Sequence, residues 1–143
     1  ISYGDIIFKE YILNILLDDP SEISIIVDAE YSDKEKDSDF IVADTPYSRK
    51  AFYSKIKLIK ATKINREDKI NGEFIGLWKV KGKGVSLLKT ELDILSQKEN
   101  FKKMTILDLF DSLRQKVNIS IKYITGSWLD IDTITDLQYI DEI

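Results

Sequence analysis

The chain contains neither cysteine nor histidine. The first absence removes disulfides, thiolate metal sites and cysteine nucleophiles; the second removes serine–histidine relays and imidazole ligation. No apolar run approaches ~18 residues, so the sequence offers no membrane span. It also lacks a basic segment followed by an apolar stretch and a small-residue cleavage site, so no secretory signal is visible. Clustered lysine and arginine are missing too, and at a net charge of −4 a DNA or RNA polymer is not an expected partner. There is no internal repeat and no low-complexity tract. What remains for chemistry is carboxylates, lysines, arginines, tyrosines and hydroxyls, and hard oxygen ligands of that kind suit Mg²⁺ or Mn²⁺. At 143 residues, 43% hydrophobic and 32% charged, the composition is that of one globular domain.

Helical spacing of Phe8, Ile12, Ile15 and Leu16 predicts a helix from Phe8 to about Leu17, stopped by Asp18-Asp19-Pro20. Ile23 to Asp28 is a short β-branched run of the kind that forms a strand buried on both faces. A strand, a helix and a buried strand in succession suggest a parallel α/β unit, in which ligands sit beyond the carboxyl ends of the strands. Asp28 occupies such a place, and Asp5 does if a strand precedes it. Glu30 to Asp39 is a mixed charge run expected to be a solvated loop. Residues 44–50 turn around Pro46 and lead to a strand within Phe52 to Thr62, along which Lys55, Lys57 and Lys60, like Arg66 beyond it, are explained by a solvated face. Asn65 to Gly72 is turn-like, and Phe74 to Val80 is a strand, so a meander is expected to pack against a parallel core.

Val85, Leu88, Leu92 and Leu95 define an amphipathic helix opening after Gly82-Lys83-Gly84. A second helix starts at Thr105, with Thr105-x-x-Asp108 as a capping box and Ile106, Leu109, Phe110, Leu113 and Val117 as its core face. Asn118 closes it. Ile119, Ile121 and Tyr123 alternate with polar residues as in a half-buried strand, which delivers the chain to Gly126-Ser127-Trp128-Leu129-Asp130-Ile131-Asp132-Thr133. In an extended segment Asp130 and Asp132 point to one side, which makes a plausible metal corner. Thr133-x-x-Asp136 is also a capping pattern, and the helix dipole alone favours acidic residues there.

Ser2-Tyr3-Gly4-Asp5-Ile6-Ile7-Phe8 near one end, Gly72-Glu73-Phe74-Ile75-Gly76-Leu77 in the middle and Trp128-x-Asp-Ile-Asp-Thr-x-x-Asp-Leu near the other together resemble the nucleotidyltransferases of the sugar-phosphate and phosphocholine type. The match is nearest to the cytidylyltransferase-like domain fused to phosphoenolpyruvate mutase in phosphonate biosynthesis. The resemblance implies a three-layer αβα sandwich with a mostly parallel, mixed sheet, in a cytoplasmic enzyme. It implies Mg²⁺ held by Asp5 and Asp132, which serve as the catalytic pair, with Asp130 supporting the metal shell. The partners implied are CTP and a small phosphonate or phosphocholine-like acceptor. Gly4 would let a ligand approach the backbone, Glu73 would receive a cationic amine, and Tyr47 and Arg49 would meet the acceptor phosphonate. Trp128 would fix the corner by packing, and Asp136 would cap. One departure is large: the family's glycine-rich phosphate loop has no counterpart in the sequence. The chain is therefore expected to be the C-terminal portion of the enzyme, partnered by an N-terminal remainder and inactive without it. A sugar-1-phosphate nucleotidyltransferase, a non-catalytic α/β interaction module and a glycosyltransferase stay open as alternatives.

Overall fold

The computed structural model describes residues 1–31, 38–51, 55–63 and 69–143. Phe52, Asn65, Arg66 and most of the charge run after Glu30 lie outside them. The organising strand is β2 (Ile23–Asp28), buried at every position, as its apolar run requires. It pairs in parallel with β6 (Ile119–Ile124) and antiparallel with β5 (Gly72–Val80).

The expected three-layer sandwich with a mostly parallel sheet is not what these residues form. A strand that the sequence reading passed over, β3 (Phe40–Ala43), joins β5 to β4 (Ile56–Thr62), and β4 returns antiparallel to β6. The meander thus closes the sheet into a five-stranded barrel, β2-β5-β3-β4-β6. Among the described residues only β2–β6 pairs in parallel. Antiparallel pairing closes the sheet in this way without the helical crossovers that parallel strands need. The chain is α/β with a mixed sheet, and the layering survives locally, because β2 is covered on both faces.

On one face of β2, Ile23, Ile25 and Val27 share a core with Phe74 and Trp78 of β5, Leu88 and Leu95 of α2 (Lys83–Ser96), and Phe110 and Leu113 of α3 (Ile106–Leu113). Phe110 is fully buried, with ring centroids 5.1 Å from Phe74 and 5.3 Å from Trp78 in edge-to-face contact, the geometry the ring quadrupoles favour. Asp108 accepts hydrogen bonds from the Thr105 backbone and hydroxyl, so the expected capping box is formed. Glu91 of α2, almost wholly buried, is tied to Ser112 and Lys116, which hold its carboxyl below the usual range.

On the other face Ile26 meets Ile12 and Leu16 of α1 (Glu10–Asp18), with Ile75, Leu77 and Ile124. Ile6 and Phe8 of β1 (Ile6–Phe8) and Trp128 of β7 (Trp128–Asp130) pack against the same cluster. β1 and β7 form a separate two-stranded antiparallel ribbon. At Gly76, whose φ is +81° and where a Cβ would strike the Tyr3 ring, β5 bulges, so that Ile75 and Leu77 both reach this second core.

Candidate functional site

The ribbon brings the two ends of the sequence together. Ile6 lies opposite Asp130 and Phe8 opposite Trp128, so these four side chains share one face. One step further the Ile131 amide donates to the Asp5 carbonyl oxygen at 2.8 Å. Asp5, Asp130 and Asp132 therefore occupy one corner, all three exposed. Burial raises the Asp130 carboxyl above its usual range, and the negative charges of Asp132 and Asp5 raise it further. That repulsion is the electrostatic signature of carboxylates gathered without a countercharge. The ion pairs described elsewhere involve Asp19, Asp39, Glu91 and Asp111, not these three.

β7 ends at Asp130, so strand alternation does not extend to Asp132. The following Thr133 instead turns on Asp136, whose Oδ2 accepts the Thr133 amide at 2.6 Å and its hydroxyl at 2.9 Å. Asp136 is the cap that the sequence pattern indicated, ahead of a 3₁₀ segment Asp136–Glu142 rather than an α-helix. Among the described residues no group of three acidic side chains converges to hold a metal by itself. The donor chemistry nonetheless fits Mg²⁺, which binds through one or two carboxylates and keeps its other positions for water and phosphate.

Beside this corner opens a cleft of about 120 Å³. Tyr3, Phe74 and Trp128 supply its aromatic walls; Asp39, Glu73, Asp130 and Lys63 supply its charges. Asp39 is partnered on both sides, by the Tyr3 hydroxyl at 3.0 Å and by Lys63 Nζ at 2.6 Å. Burial raises the Tyr3 phenol well above its ordinary value, and Asp39, Asp5 and Asp130 add to the shift. The cleft thus presents more negative than positive charge.

Glu73 and Asp130 meet in this cleft, but Tyr47 and Arg49 are not among its lining residues. Tyr47 is exposed and packs edge-on against Tyr123, 5.7 Å between centroids, and Arg49 begins an exposed 3₁₀ turn. Gly4 needs no glycine for its own fold: its φ is ordinary and a Cβ there would meet nothing within 4 Å. Gly72 differs, because a Cβ would lie 2.4 Å from the Asp28 carbonyl oxygen. Tyr3, Asp39 and Lys63 carried no functional signal in the sequence. Asp39 ended a charge run indistinguishable from a solvated loop, and only the fold shows it tucked under β5.

The α/β domain thus presents exposed carboxylates and an acidic cleft at one corner, and known proteins share its fold. No family model matches the chain. A CTP:phosphoglutamine cytidylyltransferase from Campylobacter jejuni is 28% identical over 147 residues, which cover 96% of this chain and 56% of that protein. A solved structure assigned as a glucose-1-phosphate thymidylyltransferase from Bacillus anthracis, crystallised with sucrose, superposes with a TM-score of 0.63 at 19% identity, over 97% of this chain and 51% of that one. A nucleoside-diphosphate-sugar pyrophosphorylase from Vibrio cholerae gives 0.52 at 12% identity, over 96% and 50%. The chain spans about half the length of these relatives. The structural likenesses establish a nucleotidyltransferase-type fold, and the sequence likeness is to a cytidylyltransferase.

Proposed function

We propose that this chain is the metal- and acceptor-binding portion of a Mg²⁺-dependent nucleotidyltransferase, which transfers CMP from CTP to a small phosphonate or phosphocholine-like acceptor and releases pyrophosphate. The observation that carries this reading is the meeting of Asp5 with the Asp130–Asp132 segment across the ribbon, beside an acidic, aromatic-walled cleft. An interaction module would have no need to gather exposed carboxylates against their mutual repulsion. The cytidine choice is supported by the Campylobacter relative, whose name specifies CTP. The phosphonate acceptor and the association with a phosphoenolpyruvate mutase rest on the resemblance of the three motifs.

In this reading Asp5 and Asp132 hold the cation. A Mg²⁺ held there would supply charge neutralisation at the α-phosphate, where the acceptor oxygen bonds to the α-phosphorus as the bond to pyrophosphate breaks in line. Gly4 leaves room for the phosphates to approach the backbone. Glu73 faces the acceptor's ammonium group, Asp130 supports the metal shell beside it, and the aromatic walls favour such a cation as well.

Transfer also needs a phosphate-wrapping loop that these 143 residues do not contain, so the chain alone should release no pyrophosphate from CTP. The direct test is Mn²⁺ binding to the chain by electron paramagnetic resonance, followed by assay of the longer protein with CTP and 2-aminoethylphosphonate. Loss of Mn²⁺ binding in both D5N and D132N supports the reading. Mn²⁺ binding that ignores both substitutions would refute it.

A further inference from the structure

Asp28 closes β2 with a carboxylate only 5% exposed and, among the described residues, no lysine or arginine paired with it. Its oxygens accept four hydrogen-bond contacts instead: the Trp128 indole at 2.7 Å, the Gly126 amide at 3.2 Å to each oxygen, and the Glu30 amide at 2.9 Å. A buried anion satisfied only by N–H donors is costly to misplace, because losing one donor leaves charge uncompensated.

The turn that it holds is strained. Gly126 and Ser127 both adopt left-handed φ, +67° and +66°, and the serine pays for that conformation. Such strain persists only where the surroundings over-determine it. Here Asp28 grips the residues on either side of Ser127, while the Ser127 carbonyl accepts the Lys9 amide at 3.0 Å, between β1 and α1. The turn leads straight into β7, which has no ladder to the barrel. Asp28 is thus the polar tie between the barrel and the strand that delivers Asp130 and Asp132.

We propose that Asp28 is a positioning residue for the acidic corner: by gripping Gly126 and Trp128 it sets the place at which β7 presents Asp130 and Asp132 to Asp5. The inference rests on the metal-corner reading for its catalytic meaning, though not for its geometry. Asp28→Asn is the sharpest variant, since its amide must turn a donor towards either the indole or the Glu30 amide, with the Gly126 amide shared between both oxygens. Trp128→Phe removes the indole donor and leaves the carboxylate, and the double variant relieves the donor conflict.

Two measurements on the 143-residue chain decide the matter. Exchange of the Ile131 amide, which bridges to Asp5, should quicken at least tenfold in D28N and by less in W128F, while amides of the β2–β6 ladder keep their protection. Mn²⁺ affinity should fall about tenfold in D28N and recover in part in D28N/W128F. Wild-type Ile131 protection together with wild-type Mn²⁺ affinity in either foldable variant overturns the proposal. If the wild type takes no Mn²⁺ at this corner, the metal reading falls, and Ile131 exchange alone decides whether Asp28 sets the geometry.

Discussion

The barrel and the ribbon are built on different principles. The barrel is locked by apolar contact around β2, with fully buried Ile23, Ile25, Val27, Phe110 and Leu113. The ribbon of β1 and β7 has three residue pairs, no ladder to the barrel, and burial that is at best intermediate. It is held by one small apolar cluster, by the buried Asp28 carboxylate that grips Gly126 and Trp128, and by residues 1–3, which bond to β5 at Gly76 and Trp78. The exposed carboxylates of the corner sit on this lightly buried element rather than in the apolar core, and polar ties position them.

The largest effect should come from breaking the barrel. Phe110→Ala should cost about 3–5 kcal/mol by leaving a cavity between Phe74 and Trp78, measured by urea denaturation. Below its melting temperature the variant should still bind Mn²⁺ at the corner.

Next is the tie at the far end of α1. Asp19 accepts hydrogen bonds from the Ser21 amide at 2.7 Å and the Ser24 and Ser120 hydroxyls at 2.9 and 3.2 Å, and pairs with Lys122 at 2.5 Å. Burial alone would raise this carboxyl, but Lys122, Ser21 and Ser24 outweigh it and hold it well below the usual range. A depressed carboxyl contributes stability that is present above its unfolded value and lost as pH falls through the folded one. Wild-type melting temperature should therefore drop progressively below about pH 4, with a shallower slope in D19N. At neutral pH D19N should cost about 2 kcal/mol.

A smaller effect is confined to the ribbon. Asp132→Asn should weaken Mn²⁺ at least tenfold with no change in melting temperature, because the side chain is exposed and not in an ion pair. The smallest effect sharpens the comparison. Ser127→Gly removes the left-handed strain and should leave stability unchanged or raise it by up to about 1 kcal/mol. A loss of that size would show that the turn is not strained.

Elements with strong periodicity were legible in the sequence. Ile23 to Asp28 is the buried strand it reads as and the Thr105 box caps α3, whereas α2 buries Leu88 and Leu95 beside Gly84 and Glu91 and leaves Leu92 of the expected stripe exposed. Barrel closure was not legible, because it depends on four residues, Phe40–Ala43, that follow a charge run and are too few to show a period. The ribbon was hidden for the same reason: β1 and β7 have three residues each, and Ile6-Ile7-Phe8 reads equally well as the approach to a helix. Of the candidate site, alternation pointed to Asp130 and Asp132 and the family resemblance to Asp5, and the fold brings Asp5 alongside the segment that carries the other two. Asp39 and Lys63 could not be found that way, since their partners lie far off in sequence and only β3 and β4 bring them to the cleft.

The most direct test of the central claim is the Mn²⁺ titration of the 143-residue chain beside D5N and D132N, read by electron paramagnetic resonance. One bound ion in the wild type, weakened at least tenfold by either substitution, is the predicted result. Equal binding in all three proteins, or none in any, would contradict a metal-holding corner.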